Sequence, residues 1–139
     1  MGEIDFNKVA IKPGRPLTMA QINDTIYMGL PGNPVAVMVT FSQFVVPAID
    51  LLCGTPAHRP ATFSARSTEK MRKRAGRHEF QRGIASRDEN GDWQVCKTGK
   101  QGSGILSSMS RANCFIVLDS DCDGVEPGDD VQVQLFDWA

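Results

Sequence analysis

Apolar residues fall into two regimes along this chain. Up to about residue 57 they come as two short runs and one long one. The short runs, residues 8–11 and 25–30, read as strands. The long run, residues 35–53, reads as a helix. Val35, Met38, Val45, Val46, Ile49 and Leu52 share one helical face, which Phe41, Phe44 and Ala48 broaden. Asn33 is a good N-cap and Pro34 suits the first helical position. Pro47 predicts a kink or local break, and Gly54 followed by Pro56 predicts the end. The helix is apolar on most of its circumference. Two strands cannot cover it, so either this chain is cut from a longer protein with a larger α/β layer, the favoured reading, or residues 1–57 pack against a partner or the β domain.

After residue 57 the pattern is β with many turns. Residues 61–67, 79–86, 93–98, 114–118 and 131–135 read as strands. Asp88-Glu89-Asn90-Gly91-Asp92 carries an Asn-Gly hairpin signal, and Pro127-Gly128 marks another turn. Residues 104–113 form a short helix or a turn-rich connector. The pattern therefore predicts an α/β fragment, residues 1–57, followed by a small all-β barrel or sandwich, residues 58–139.

Composition narrows the class. With 41% hydrophobic and 22% charged residues and a formal net charge of -1, the chain reads as a soluble globular protein. Nothing global points to nucleic acid or a membrane surface. The start Met1-Gly2-Glu3-Ile4-Asp5 has no signal-peptide character, which favours a cytoplasmic location. The apolar run is of marginal length for a membrane span, and Asp50 would be costly in lipid. Cys53, Cys96, Cys114 and Cys122 show no C-x-x-C spacing and lie far from His58 and His78, so they read as reduced thiols rather than a zinc site. No residue reads as a covalent nucleophile or a His-centred base.

Candidate chemistry collects at two Gly/Pro turns and one basic stretch. Gly29-Leu30-Pro31-Gly32-Asn33-Pro34 joins a strand to the long helix. Gly32 can take φ > 0 and lets a ligand approach the backbone, and the freed N–H groups and helix dipole are expected to face an anion. Lys12-Pro13-Gly14-Arg15-Pro16 follows the first short run, and Lys8 shares a face with Lys12 if residues 8–12 are extended. Residues 66–82 carry seven basic and two acidic side chains; Lys70 to Arg74 read as a solvated loop. Asp119-Ser120-Asp121-Cys122-Asp123-Gly124 opens like a calcium loop with Asp130 at the twelfth position. Its flanks are strand-like rather than helical, so it reads as an acidic hairpin.

Four blocks occur in a telling order: Lys12-Pro13-Gly14-Arg15-Pro16; Gly29-Leu30-Pro31-Gly32-Asn33-Pro34-Val35; Gly76-Arg77-His78-Glu79-Phe80-Gln81-Arg82; and Gln101-Gly102-Ser103-Gly104-Ile105-Leu106-Ser107-Ser108-Met109-Ser110-Arg111-Ala112-Asn113. Together they resemble the C-terminal third of the molybdopterin molybdotransferase family, relatives of the gephyrin E domain. The resemblance implies a transferase of molybdenum cofactor biosynthesis that inserts molybdate into adenylylated molybdopterin, with Mg²⁺, releasing AMP. It implies a homodimer whose cleft lies between domains three and four of one subunit and domain two of the other. Residues 1–57 would end the three-layer molybdopterin-binding domain, and residues 58–139 would be the β-barrel domain. The resemblance carries molybdate contacts onto Lys8, Lys12, Arg77, Arg82, Ser103, Ser107 and Ser108, and molybdopterin contacts onto Pro31, Gly32, Asn33 and Pro34. Ala36 stands where the family usually has Ser. The acidic segment that helps hold pterin and metal would lie upstream, so this chain alone is expected to be inactive. The alternative is a non-catalytic peptide-binding scaffold or a dimer-support module.

Overall fold

A computed structural model describes residues 2–99, 101–102 and 106–136. The chain divides into two compact units, Met1–Arg59 and Pro60–Ala139.

In the first unit, β1 (Gly2–Phe6), β3 (Thr18–Ile22) and β4 (Thr25–Gly29) form an antiparallel sheet in the order β1-β3-β4. Asn23, with φ 54, makes the tight β3–β4 turn, a conformation that Asn tolerates better than most residues. The expected strand over residues 8–11 is reduced to β2 (Ile11–Lys12). The helix begins as predicted. α1 (Pro34–Thr40) has Pro34 in its first turn, and Asn33 Oδ1 accepts from Val35 N at 3.1 Å and Ala36 N at 3.4 Å. The break foreseen at Pro47 is a π-helical turn, Phe41–Val45, ahead of α2 (Val46–Leu52). Proline has no N–H and its ring crowds the carbonyl four residues back, and the widened turn absorbs both effects. Gly54, with φ 74, ends the helix.

The buried face differs from the expected one. Val35, Ala36, Val39 and Thr40 are buried, whereas Phe41, Ile49, Leu51 and Leu52 are exposed. All four buried residues precede the π-turn, and no residue of the π-turn or α2 is buried. Among the described residues Pro34–Leu52 is the one helix long and apolar enough to cross a membrane.

In the second unit five strands close into a barrel: β5 (Thr62–Ser67), β7 (His78–Arg87), β8 (Trp93–Lys97), β9 (Cys114–Leu118) and β11 (Asp130–Leu135). Their order is β7-β8-β5-β11-β9, and β7–β9 pairing completes the circle. Only β5–β8 is parallel, through Arg66↔Gln94 and Ser67↔Val95. A barrel this small is filled by side chains. Ala65, Ala85, Val95, Cys114, Ile116, Leu118, Val131 and Val133 make that core. A two-residue pair, β6 (Met71–Arg72) with β10 (Gly124–Val125), adds Met71 and Val125 to it. The β7–β8 loop closes as the Asn-Gly signal predicts. Asp88 Oδ1 accepts from Asn90 N and Asp92 N, each at 2.9 Å, and Gly91 has φ 86. Residues 119–130 run between β9 and β11 and include β10, so Asp130 sits on a strand opposite Arg66. α3 (Ser107–Arg111) lies in the connector between β8 and β9 and rests against β7.

Candidate anion-binding residues

At the helix start the side chain of Asn33 has taken the N–H groups of Val35 and Ala36, and Pro34 has none. The expectation that first-turn N–H groups stand free is therefore corrected. What remains open lies one step earlier. Gly32 N–H and Asn33 N–H make no hydrogen bond among the described residues. Gly32 is exposed, and a Cβ built on it would meet nothing within 4 Å. Its φ is not left-handed. Neither backbone geometry nor packing calls for glycine here; it leaves room over the turn. Pro31 is buried and Pro34 exposed.

Lys8 and Lys12 are exposed. The loop after Lys12 is anchored on the helix. Gly14 has φ 114, and a Cβ there would lie 2.6 Å from Thr40 Cγ2. Thr40 is six residues past Pro34, about 9 Å along the axis. The loop thus lies alongside the helix rather than over its first turn.

In the barrel unit Arg82 is buried, only 1% exposed. Alternation along β7 places His78, Phe80 and Arg82 on the face opposite Gln81, Gly83 and Ala85. Phe80 and Phe115 meet edge-on at 6.0 Å, and Phe115 meets Phe136 at 4.6 Å. Arg82 Nε donates to Ser108 Oγ at 3.0 Å and Nη2 donates to Gly102 O at 3.0 Å. Nη1 makes no hydrogen bond among the described residues. Burial pushes the guanidinium pKa down, and Glu79 opposes the shift. Arg82 and Ser108 are thus brought together. Ser107 is exposed at the start of α3, and Arg77 is exposed in the turn before β7. Ser103 lies outside the described residues.

One cationic expectation changes. Lys73, read as part of a solvated loop, is 8% exposed and donates to Cys122 O at 2.8 Å, Arg74 O at 3.4 Å and Ser120 O at 3.5 Å. It ties the 72–77 loop to the acidic loop, with help from Gly76 N donating to Ser120 O at 2.6 Å. Sequence reasoning missed it because lysine types as surface, and only the neighbouring carbonyls reveal its role. Among the described residues no group of three or more His, Cys, Asp or Glu converges, and no Mg²⁺ ligand is assigned to this chain.

Comparison with known proteins accounts for both units. Residues 64–136, just over half of the chain, match the family described as MoeA C-terminal region (domain IV). The chain belongs to the MoeA family. Residues 1–51 match a probable molybdopterin binding domain. A molybdopterin molybdenumtransferase of Haemophilus influenzae is 40% identical over 137 residues, which is 98% of this chain and 34% of that protein. One of Bacillus subtilis is 37% identical, covering 96% of this chain and 31% of its own. A molybdenum cofactor biosynthesis protein of Pyrococcus furiosus superposes with a TM-score of 0.75 at 31% identity, over 96% of this chain and 46% of that one. The chain spans about a third of the length of these curated MoeA relatives.

Proposed function

We propose that this chain supplies part of a molybdopterin molybdotransferase, which inserts molybdate into adenylylated molybdopterin and releases AMP and molybdenum cofactor. Its contribution is electrostatic. Lys12, with Lys8, offers compact ammonium charges to the molybdate dianion. Arg82, whose Nη1 makes no hydrogen bond among the described residues, and Arg77, Ser103, Ser107 and Ser108 are read as further donors to the anion. Gly32 and Asn33 receive the pterin ligand at the helix start, flanked by Pro31 and Pro34. No step is drawn through Mg²⁺, and no residue of this chain is assigned to it. The working enzyme is read as a cytoplasmic homodimer acting on small molecules, away from nucleic acid and membranes, and this chain as inactive alone.

The observation that carries the reading is Gly32. It is an exposed glycine with open space above it, beside two unbonded N–H groups, inside the stretch that matches a molybdopterin-binding domain. The test is titration of the fluorescent pterin ligand. Gly32→Val fills the open space and is expected to weaken binding about tenfold, or ~1.4 kcal/mol. Equal binding by Gly32→Val overturns the assignment. Turnover by the chain alone overturns the claim that it supplies only part of the enzyme.

A further inference from the structure

β7 changes partner at Gly83. Residues 79–83 pair with β9, and residues 83–87 pair with β8. Around that switch each edge of β7 has main-chain groups beyond the reach of the neighbouring strand, and buried N–H and C=O groups need partners. Two side-chain amides bond the main chain there, one of them sharing Arg82 O with Thr98 N–H, which donates to it at 3.0 Å. Gln101 Oε1 accepts from Arg82 N at 2.7 Å, and Gln101 Nε2 donates to Arg82 O at 3.0 Å. Asn113 does the same for Ala85, at 2.8 Å and 2.9 Å. Each amide carries one donor and one acceptor side by side, as a peptide group does, and so acts as one rung of a ladder.

The two rungs hold different things. Ala85 is a core residue. Arg82 carries the guanidinium that reaches Ser108 Oγ and Gly102 O. Gln101 and Gly102 are adjacent, so one short stretch grips both the main chain and the side chain of Arg82. We propose that Gln101 is a positioning residue for Arg82: it fixes the backbone from which the guanidinium projects, and with it the place where Nη1 meets a tetrahedral oxyanion. The function assigned to that placement rests on the reading of Arg82 as an anion contact. An arginine side chain carries about 2 kcal/mol of rotamer entropy, and freedom removed before the anion arrives is not lost on binding.

Asn113 is the matched control, an equivalent rung with no guanidinium attached. The experiment follows the Nε–Hε signal of Arg82 in the ¹⁵N-labelled chain and titrates tungstate by calorimetry. Gln101→Ala is expected to speed exchange of that proton about tenfold and to weaken tungstate binding about tenfold. On an Arg82→Ala background it should cost no further affinity, because coupled residues are not additive. Asn113→Ala should lower stability while leaving the Arg82 signal sharp and the tungstate affinity within about twofold. Gln101→Glu keeps the acceptor and loses the donor; it should give a smaller change in the same direction and serves if the alanine variant fails to fold. An unchanged Arg82 signal in Gln101→Ala, or equal losses in Gln101→Ala and Asn113→Ala, overturns the proposal. Tungstate failing to bind the unsubstituted chain overturns the anion reading and the function given to Gln101, and the Hε exchange separates that failure from one in which Gln101 does not hold Arg82.

Discussion

Arg82 and Lys73 are buried cations, and oxygens of a neighbouring segment match each of them. Neither was legible as buried. Local pattern puts Arg82 on the outward face of β7, and what covers that face is decided by a connector some 20 residues away in sequence. Gly83 shows the opposite limit. A Cβ there would lie 2.8 Å from Ile116 Cγ1 and 3.0 Å from Cys114 Sγ, in the middle of the barrel core. Gly83→Ala should therefore destabilise the chain by about 1–3 kcal/mol through overpacking, read as a lower urea midpoint. A second prediction concerns Cys114, whose thiol burial pushes from 9.0 up to about 12. Below the unfolded pKa both states hold the proton. Above it the unfolded thiol ionises first, so stability falls as pH rises from about 9 toward about 12. Urea titrations across that window should show the decline, and Cys114→Ala should flatten it. At neutral pH a thiol reagent should label exposed Cys53 readily and reach Cys114 only on unfolding.

At the scale of elements, the long helix was the most legible feature and its buried face the least. Asn33, Pro34 and Gly54 mark both ends because capping chemistry is local. The face was misplaced because burial stops at Thr40: neither the π-turn nor α2 buries a residue on any side, and periodicity cannot tell a covered apolar face from an uncovered one. β1 and β3 escaped notice for another reason. β1 alternates only over Glu3-Ile4-Asp5-Phe6, a run too short to stand out, and its side chains are nearly all exposed. β5 and β11 were legible because apolar residues alternate toward one buried face, and β9 because it is a continuous apolar run buried on both. The helix cap is open to direct test. Asn33→Ala should cost about 1 kcal/mol, and amide exchange at Val35 and Ala36 should accelerate ahead of the rest of α1. Unchanged protection at those two amides would show that another group satisfies them.

Across the molecule, stability is unevenly distributed. The barrel encloses a continuous core, whereas neither the π-turn nor α2 buries a residue, and Leu51 and Leu52 are 64% and 67% exposed. Amides of β7, β9 and β11 should thus exchange far more slowly than those of residues 46–52, because local opening is cheapest where few apolar contacts are lost. Equal protection of both regions would contradict that assignment. The functional account depends on one property above all, namely that cationic side chains of this chain hold a tetrahedral oxyanion. Calorimetric titration of molybdate into the chain and its Lys12→Ala and Arg82→Ala variants tests it most directly. The account predicts weak saturable binding that falls in both variants and weakens as salt screens the charges. Absence of binding, or binding that neither substitution alters, would contradict it.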